Sequence, residues 1–217
     1  AMFEEKDRPK TWMFTTSPPV SPEQIANRNL QVGNLQSKCL PQVAVGPKRL
    51  MDRLDAAGVT EGGAVEVFVN RGSVLLVKKG NPKHIKTVWD LGRRDVKLVT
   101  SNPANEKGSF EGYRDSIYGI ASADPKPPRN MSADTLFNRI FNGQSGNPEK
   151  WLIGARVHHR EVPWSVAYGK ADVGVMFYHL ALHAVRQFPD KFEIVPLGGT
   201  VESLPPCRGT RPAATTR

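Results

Sequence analysis

The stretch Tyr168–Phe177, YGKADVGVMF, decides how this chain is read, together with Val157–Pro163, VHHREVP, just before it. Gly169 marks a turn. Ala171 to Phe177 is too apolar to alternate, which predicts a short buried strand, and from Tyr178 the spacing becomes helical. A strand that hands over directly to a helix gathers polar groups at its carboxyl end, the edge at which open α/β sheets bind ligands. By itself the run reads equally well as an ordinary core strand with an Asp-capped turn.

The flanking sequence extends the same alternation. Val65–Val69 and Ser73–Val77 are β-rich runs separated by the turn-prone Asn70-Arg71-Gly72. A helix is predicted near Thr87–Gly92, a strand at Lys97–Thr100, then a loop, Ser101–Gly108, opening a helix over Ser109–Ile120. Ala133–Asn142 has helical spacing. His158 to Glu161 read as a loop between Trp151–Val157 and a helix at Pro163–Tyr168. Tyr178–Phe188 continues as a helix and Lys191–Leu197 as a strand. Toward the start, Gln42–Gly46 reads as a short strand and Pro47–Gly58 as a helix closed by glycine. Leu30–Leu40 has no definite pattern. Val201–Arg217, rich in Pro, Thr and Arg, is expected to be an irregular tail.

Composition narrows the class. The chain has 217 residues, 39% of them apolar, and a formal charge of +9 with 30 Lys and Arg. That length is enough for a substantial core. The basic residues fall in scattered pairs, such as Lys78-Lys79 and Arg93-Arg94, without a recognised nucleic-acid motif, so charge alone motivates a nucleic-acid module and a solvated surface explains it as well. No run of 18 apolar residues is present, so no membrane span is predicted. The first ten residues, AMFEEKDRPK, contain no hydrophobic signal region. Two cysteines, Cys39 and Cys207, define neither a disulfide framework nor a metal site.

Three groups of residues carry candidate chemistry. Thr15, Thr16 and Ser17 stand before two prolines at a strand end, where hydroxyls near a helix start suit an anion; the alternative is that Ser21 caps a helix begun by Pro22 and the hydroxyls only finish a turn. Asn105, Lys107 and Ser109 stand before the next helix, offering N–H donors and a cation, or simply a capped turn. Arg160 suits bidentate pairing with an oxyanion, with His159 as a second donor, unless it pairs internally with Glu161. A metal is the third reading: His179 and His183 lie at i, i+4 on one helical face, and His158, His159 and Glu161 are near in sequence, but the HExxH glutamate is absent. Ser17, Ser73 and Ser109 lack a G-x-S-x-G setting and neither cysteine lies near a histidine, so the reading is of a binder and not an enzyme, with no cofactor.

The order of Asn70–Pro82 (NRGSVLLVKKGNP), Ile85–Val99 (IKTVWDLGRRDVKLV), Asn102–Gly112 (NPANEKGSFEG) and the opening stretch resembles periplasmic-type solute-binding proteins of the type II fold, in the branch that binds molybdate and related oxyanions. The resemblance implies a two-lobed α/β architecture: 1–81 with 179–200 as one lobe, 82–178 as the other, and 201–217 as a tail. It implies that the first βα unit and the last helix are missing. It also implies capture of a small anion, such as molybdate, tungstate, sulfate or a small carboxylate, between the lobes, for ABC transporter membrane subunits. The location implied is periplasmic or extracellular. Thr15, Thr16 and Ser17 then take the place of the hydroxyl loop, Asn105 to Ser109 the second-lobe loop, and Phe177 the strand-end aromatic. Phe177 has no hydroxyl, which leaves that hydrogen bond to Tyr178.

Overall fold

A computed structural model describes residues 21–32, 35–38, 42–67, 71–142, 149–154 and 158–197. Contacts divide the chain between Val65 and Glu66. In the first unit Ser21 caps α1 (Pro22–Ala26): its side chain accepts from Gln24 N while Gln24 Oε1 accepts from Ser21 N, a capping box with proline in the first turn. Strands β1 (Leu30–Val32) and β2 (Leu35–Ser37) pair antiparallel, giving a hairpin to a stretch without a sequence signal. Helix α2 (Lys48–Ala56) ends before Gly58, whose φ of 67° is the left-handed cap expected there. Ile25, Leu30 and Leu54 form this unit's small core. The strands predicted at Gln42–Gly46 and Val65–Val69 do not form where the structure describes them: Val43, Val45, Val65 and Val67 lie exposed in irregular backbone. Their valines have β propensity, but among the described residues no strand pairs with them.

The second unit is built on a sheet of order β5-β4-β6-β3-β7. Strand β3 (Ser73–Lys78) is followed by a short 3-10 turn at Val88–Gly92, β4 (Leu98–Thr100), α3 (Lys107–Ala123), α4 (Ala133–Phe141), β5 (Trp151–Ile153), α5 (His158–Ala167), β6 (Val173–Phe177), α6 (Tyr178–Gln187) and β7 (Phe192–Pro196). Strands β4, β5 and β6 run parallel, while β3 lies antiparallel between β6 and β7. Val74 to Val77 are almost wholly buried, as befits a strand covered on both faces, each side chain contributing about 1.5–3 kcal/mol over an exposed one.

Residues three apart on a strand face opposite ways, and β6 shows what covers each side. Phe177 packs on Tyr113 of α3, whereas a Cβ at Gly174 would overlap Val162 of α5. Glycine here lets α5 sit directly on the sheet. The α/β class is therefore as expected, with a mixed sheet and helices on both faces.

The expected lobe boundaries at 81/82 and 178/179 fall inside this unit. Strands β3 and β7, assigned to one lobe, share the sheet with β4, β5 and β6, assigned to the other, because β3 is too apolar on both faces to lie at an edge. Residues 79–82 form a tight turn, with φ of 80° at Gly80 and 42° at Asn81, and Lys79 N donates to Lys191 O. The tail at 201–217 and both cysteines lie outside the described residues. Among the described residues no helix is long and apolar enough to cross a membrane.

Candidate functional site

Three helices begin where three parallel strands end: α3 after β4, α5 after β5 and α6 after β6. Neither α3 nor α6 has a side-chain cap on its N-terminus, so partial positive charge collects along one sheet edge. The helix predicted from Ser109 starts at Lys107, which brings Lys107 and Ser109 into its first turn. The helix predicted from Pro163 starts at His158 and carries Pro163 inside it. His158, His159, Arg160 and Glu161 are thus helical, not loop residues. With its nitrogen in the ring, Pro163 leaves the carbonyl of His159 without its usual intrahelical donor.

At this edge Glu106 immediately precedes α3 yet caps α5. Its Oε2 accepts from His158 N at 3.0 Å and its Oε1 lies 2.8 Å from His158 Nδ1. The other ring nitrogen, Nε2, is 2.8 Å from the buried Tyr113 hydroxyl. His158 is only 5% exposed, so this Glu106–His158–Tyr113 chain holds the imidazole at both nitrogens in a largely dry setting. Phe177 stacks beyond it, 4.7 Å from the Tyr113 ring and 6.0 Å from the His179 ring.

His159 follows on α5, exposed, with its ring 5.7 Å from that of His158. Burial of part of the ring, and then the neighbouring His158, push its pKa below the ordinary imidazole value, against the pull of Glu106. His179 is lowered by burial and by His158 in the same way. Both therefore favour the neutral ring at neutral pH.

The loop after β4 is tied back on itself: Ala104 N donates to Asn102 Oδ1 and Glu106 N to Asn102 O. Thr100 Oγ1 accepts from Trp151 Nε1 and donates to Ser101 O. Ser101 is wholly buried, and its Oγ has no hydrogen-bond partner among the described residues. A buried hydroxyl without a partner is costly.

The residues expected to form a site divide. Thr15, Thr16 and Ser17 lie outside the described residues. Asn105 is in the exposed turn before α3, Lys107 pairs with Glu111 at 3.8 Å along the helix, and Ser109 is half-buried. His159 joins Glu106 and His158, Phe177 joins Tyr113, and Tyr178 donates its backbone N–H to Gly72 O. Arg160 lines a groove of ≈ 800 Å³ between α5 and α6, together with His159, Trp164, Tyr168, His183 and Phe188. His179 and His183 are exposed on α6 and belong to no group of three ligating side chains among the described residues. Sequence reasoning missed Glu106, Tyr113 and Ser101. Tyr113 sits on the buried stripe Phe110, Tyr113, Ile117 and Ala121, where an aromatic reads as core.

A family model described as bacterial extracellular solute-binding protein matches residues 41–209, most of the chain. Among solved structures the chain is similar to the sulfate-binding protein SubI from Mycobacterium tuberculosis, with 18% identity, TM-score 0.49, and coverage of 82% of this chain and 58% of that one. It is similar to an ancestral cyclohexadienyl dehydratase, with 19% identity, TM-score 0.35, and coverage of 68% and 45%. It is also similar to Peb3 from Campylobacter jejuni, with 17% identity, TM-score 0.40, and coverage of 61% and 48%. The chain spans about half the length of these structures. No curated protein sequence matches it significantly.

Proposed function

We propose, since the chain belongs to the bacterial extracellular solute-binding protein family, that the carboxyl edge of its sheet receives a small anionic solute, a tetrahedral oxyanion or small carboxylate. The observation that carries this reading is the buried, unpartnered Ser101 hydroxyl at the edge where α3, α5 and α6 begin. An anion stripped of water needs several converging donors, and a hydroxyl beside helix N-termini supplies them without a full positive charge. Lys107 and His159, exposed at the first turns of α3 and α5, add donors at the rim. Glu106 is already engaged by two donors of His158, which moderates its repulsion of an anion.

On this reading the protein binds its solute outside the cytoplasm, in the periplasm or extracellularly, and passes it to the membrane subunits of an ABC transporter. The reaction is capture, without bond making or breaking. Titration of the full chain with sulfate, molybdate, tungstate and small carboxylates, by calorimetry and thermal unfolding, tests it. A true solute at one hundred times its Kd stabilises the fold by about 2.7 kcal/mol. If none of these anions binds or raises the Tm, the reading falls.

A further inference from the structure

We propose that Glu106, His158 and His159 form a binding site for a divalent transition-metal ion of zinc-like preference. A potential ligand atom from each lies within 4.8 Å of the others. Two imidazoles and a carboxylate are a donor set that zinc favours, and with bonds of about 2.0–2.1 Å a tetrahedral site needs its donors about 3.3 Å apart. Closing the remaining distance falls to His159, the exposed member of the three. The two inner ligands are already held: Glu106 by the backbone and ring of His158, and His158 between Glu106 and Tyr113.

The hydrogen bonds of His158 suit this role. Nδ1 faces Glu106, where a metal bridging the two would sit, and Nε2 faces the Tyr113 hydroxyl. Metal-bound histidines usually anchor the second ring nitrogen in this way. When Nδ1 binds the metal, a neutral His158 carries its proton on Nε2 and donates to Tyr113. Without metal the same proton on Nδ1 is donated to Glu106, and Tyr113 donates to Nε2. A hydroxyl serves in either direction, so the exchange breaks no hydrogen bond at Tyr113. Three protein ligands leave a coordination position open. The helix N-termini at this edge make an anion the favoured occupant of that position. The metal site stands on its own geometry and does not depend on the solute reading.

The test titrates zinc chloride into the untagged full chain after chelator treatment, by calorimetry and by competition with a chromogenic chelator, with cobalt chloride as a spectroscopic substitute. One equivalent should bind, and cobalt should give the visible absorption of a four-coordinate site. His159→Ala, at an exposed position, should weaken zinc at least about tenfold, and Glu106→Gln likewise, as for removal of a ligand. His183→Ala should leave it unchanged. Tyr113→Phe should weaken it about 10–100-fold through loss of the outer hydrogen bond. Nitrogen-15 chemical shifts of His158 should report the change of tautomer on metal binding. Absence of stoichiometric zinc in the folded protein, or equal binding by wild type, His159→Ala and Glu106→Gln, overturns the proposal. Anion titration in the presence of chelator reads the solute site separately, so that either can fail alone.

Discussion

At the amino edge of the sheet, Lys150 Nζ donates to the carbonyls of Arg93 and Val96, Asp172 accepts from Lys97 N at 2.8 Å, and Arg93 pairs with Asp95 at 2.8 Å. At the carboxyl edge, Glu106, His158 and Tyr113 are chained together beside Ser101, whose hydroxyl finds no partner among the described residues. Both edges are polar and partly buried. One uses its charges to tie loops to strands, and the other leaves a donor unused where helix N-termini gather. Buried charge is therefore common to the two edges; incomplete hydrogen bonding is what sets the carboxyl edge apart.

The largest effect expected on this contrast comes from Gly174. Gly174→Val forces β6 and α5 apart at Val162, at a cost of about 3 kcal/mol by overpacking. Because α5 begins with His158, stability in urea and zinc or anion affinity should fall together. Loss of stability with full binding would separate the carboxyl edge from the packing that is argued to place it.

Comparable in size, and spread over a range of pH, is an effect confined to the amino edge. Burial pushes the Lys150 ammonium down to about 8 from its ordinary 10.5. Between these values the unfolded chain binds more protons than the folded one, so stability should rise with pH across that window, by at most about 1.4 kcal/mol per pH unit from this one group. Below about pH 8 the full penalty of burying the charge is present. Denaturation midpoints from pH 7 to 10.5 check the rise, and Lys150→Met should abolish it while leaving the carboxyl edge able to bind.

The smallest effect has the opposite sign in the two states. Ser101→Ala removes a buried hydroxyl without a partner, so the free protein should gain about 1 kcal/mol. Anion affinity should fall by a comparable free energy, roughly fivefold. A variant that loses stability without ligand would show that the hydroxyl is satisfied in the free protein and would erase the distinction between the edges.

Much of this was legible before any fold was known. The unalternating run Val173–Phe177 is a buried strand, the spacing from Tyr178 is helical, and Ser21-Pro22 with Gln24 caps a helix, all through periodicity and local hydrogen bonding acting over a few residues. Phe177 was a candidate through the resemblance alone, and His159 as a second donor beside Arg160 in a stretch whose spacing reads as a loop. Arg160 was visible too, but its place beside His159 in the lining of the α5–α6 groove depends on α5 starting at His158 and not at Pro163.

Sequence alone determined most elements of the second unit, the α/β class and the likeness to solute-binding proteins, since each rests on short-range pattern. Only the tertiary structure decided that β3 lies antiparallel between β6 and β7, and that Glu106, 52 residues from His158, is its partner. Strand order and pairings across such separations depend on which surfaces bury each other, and no local spacing encodes that choice.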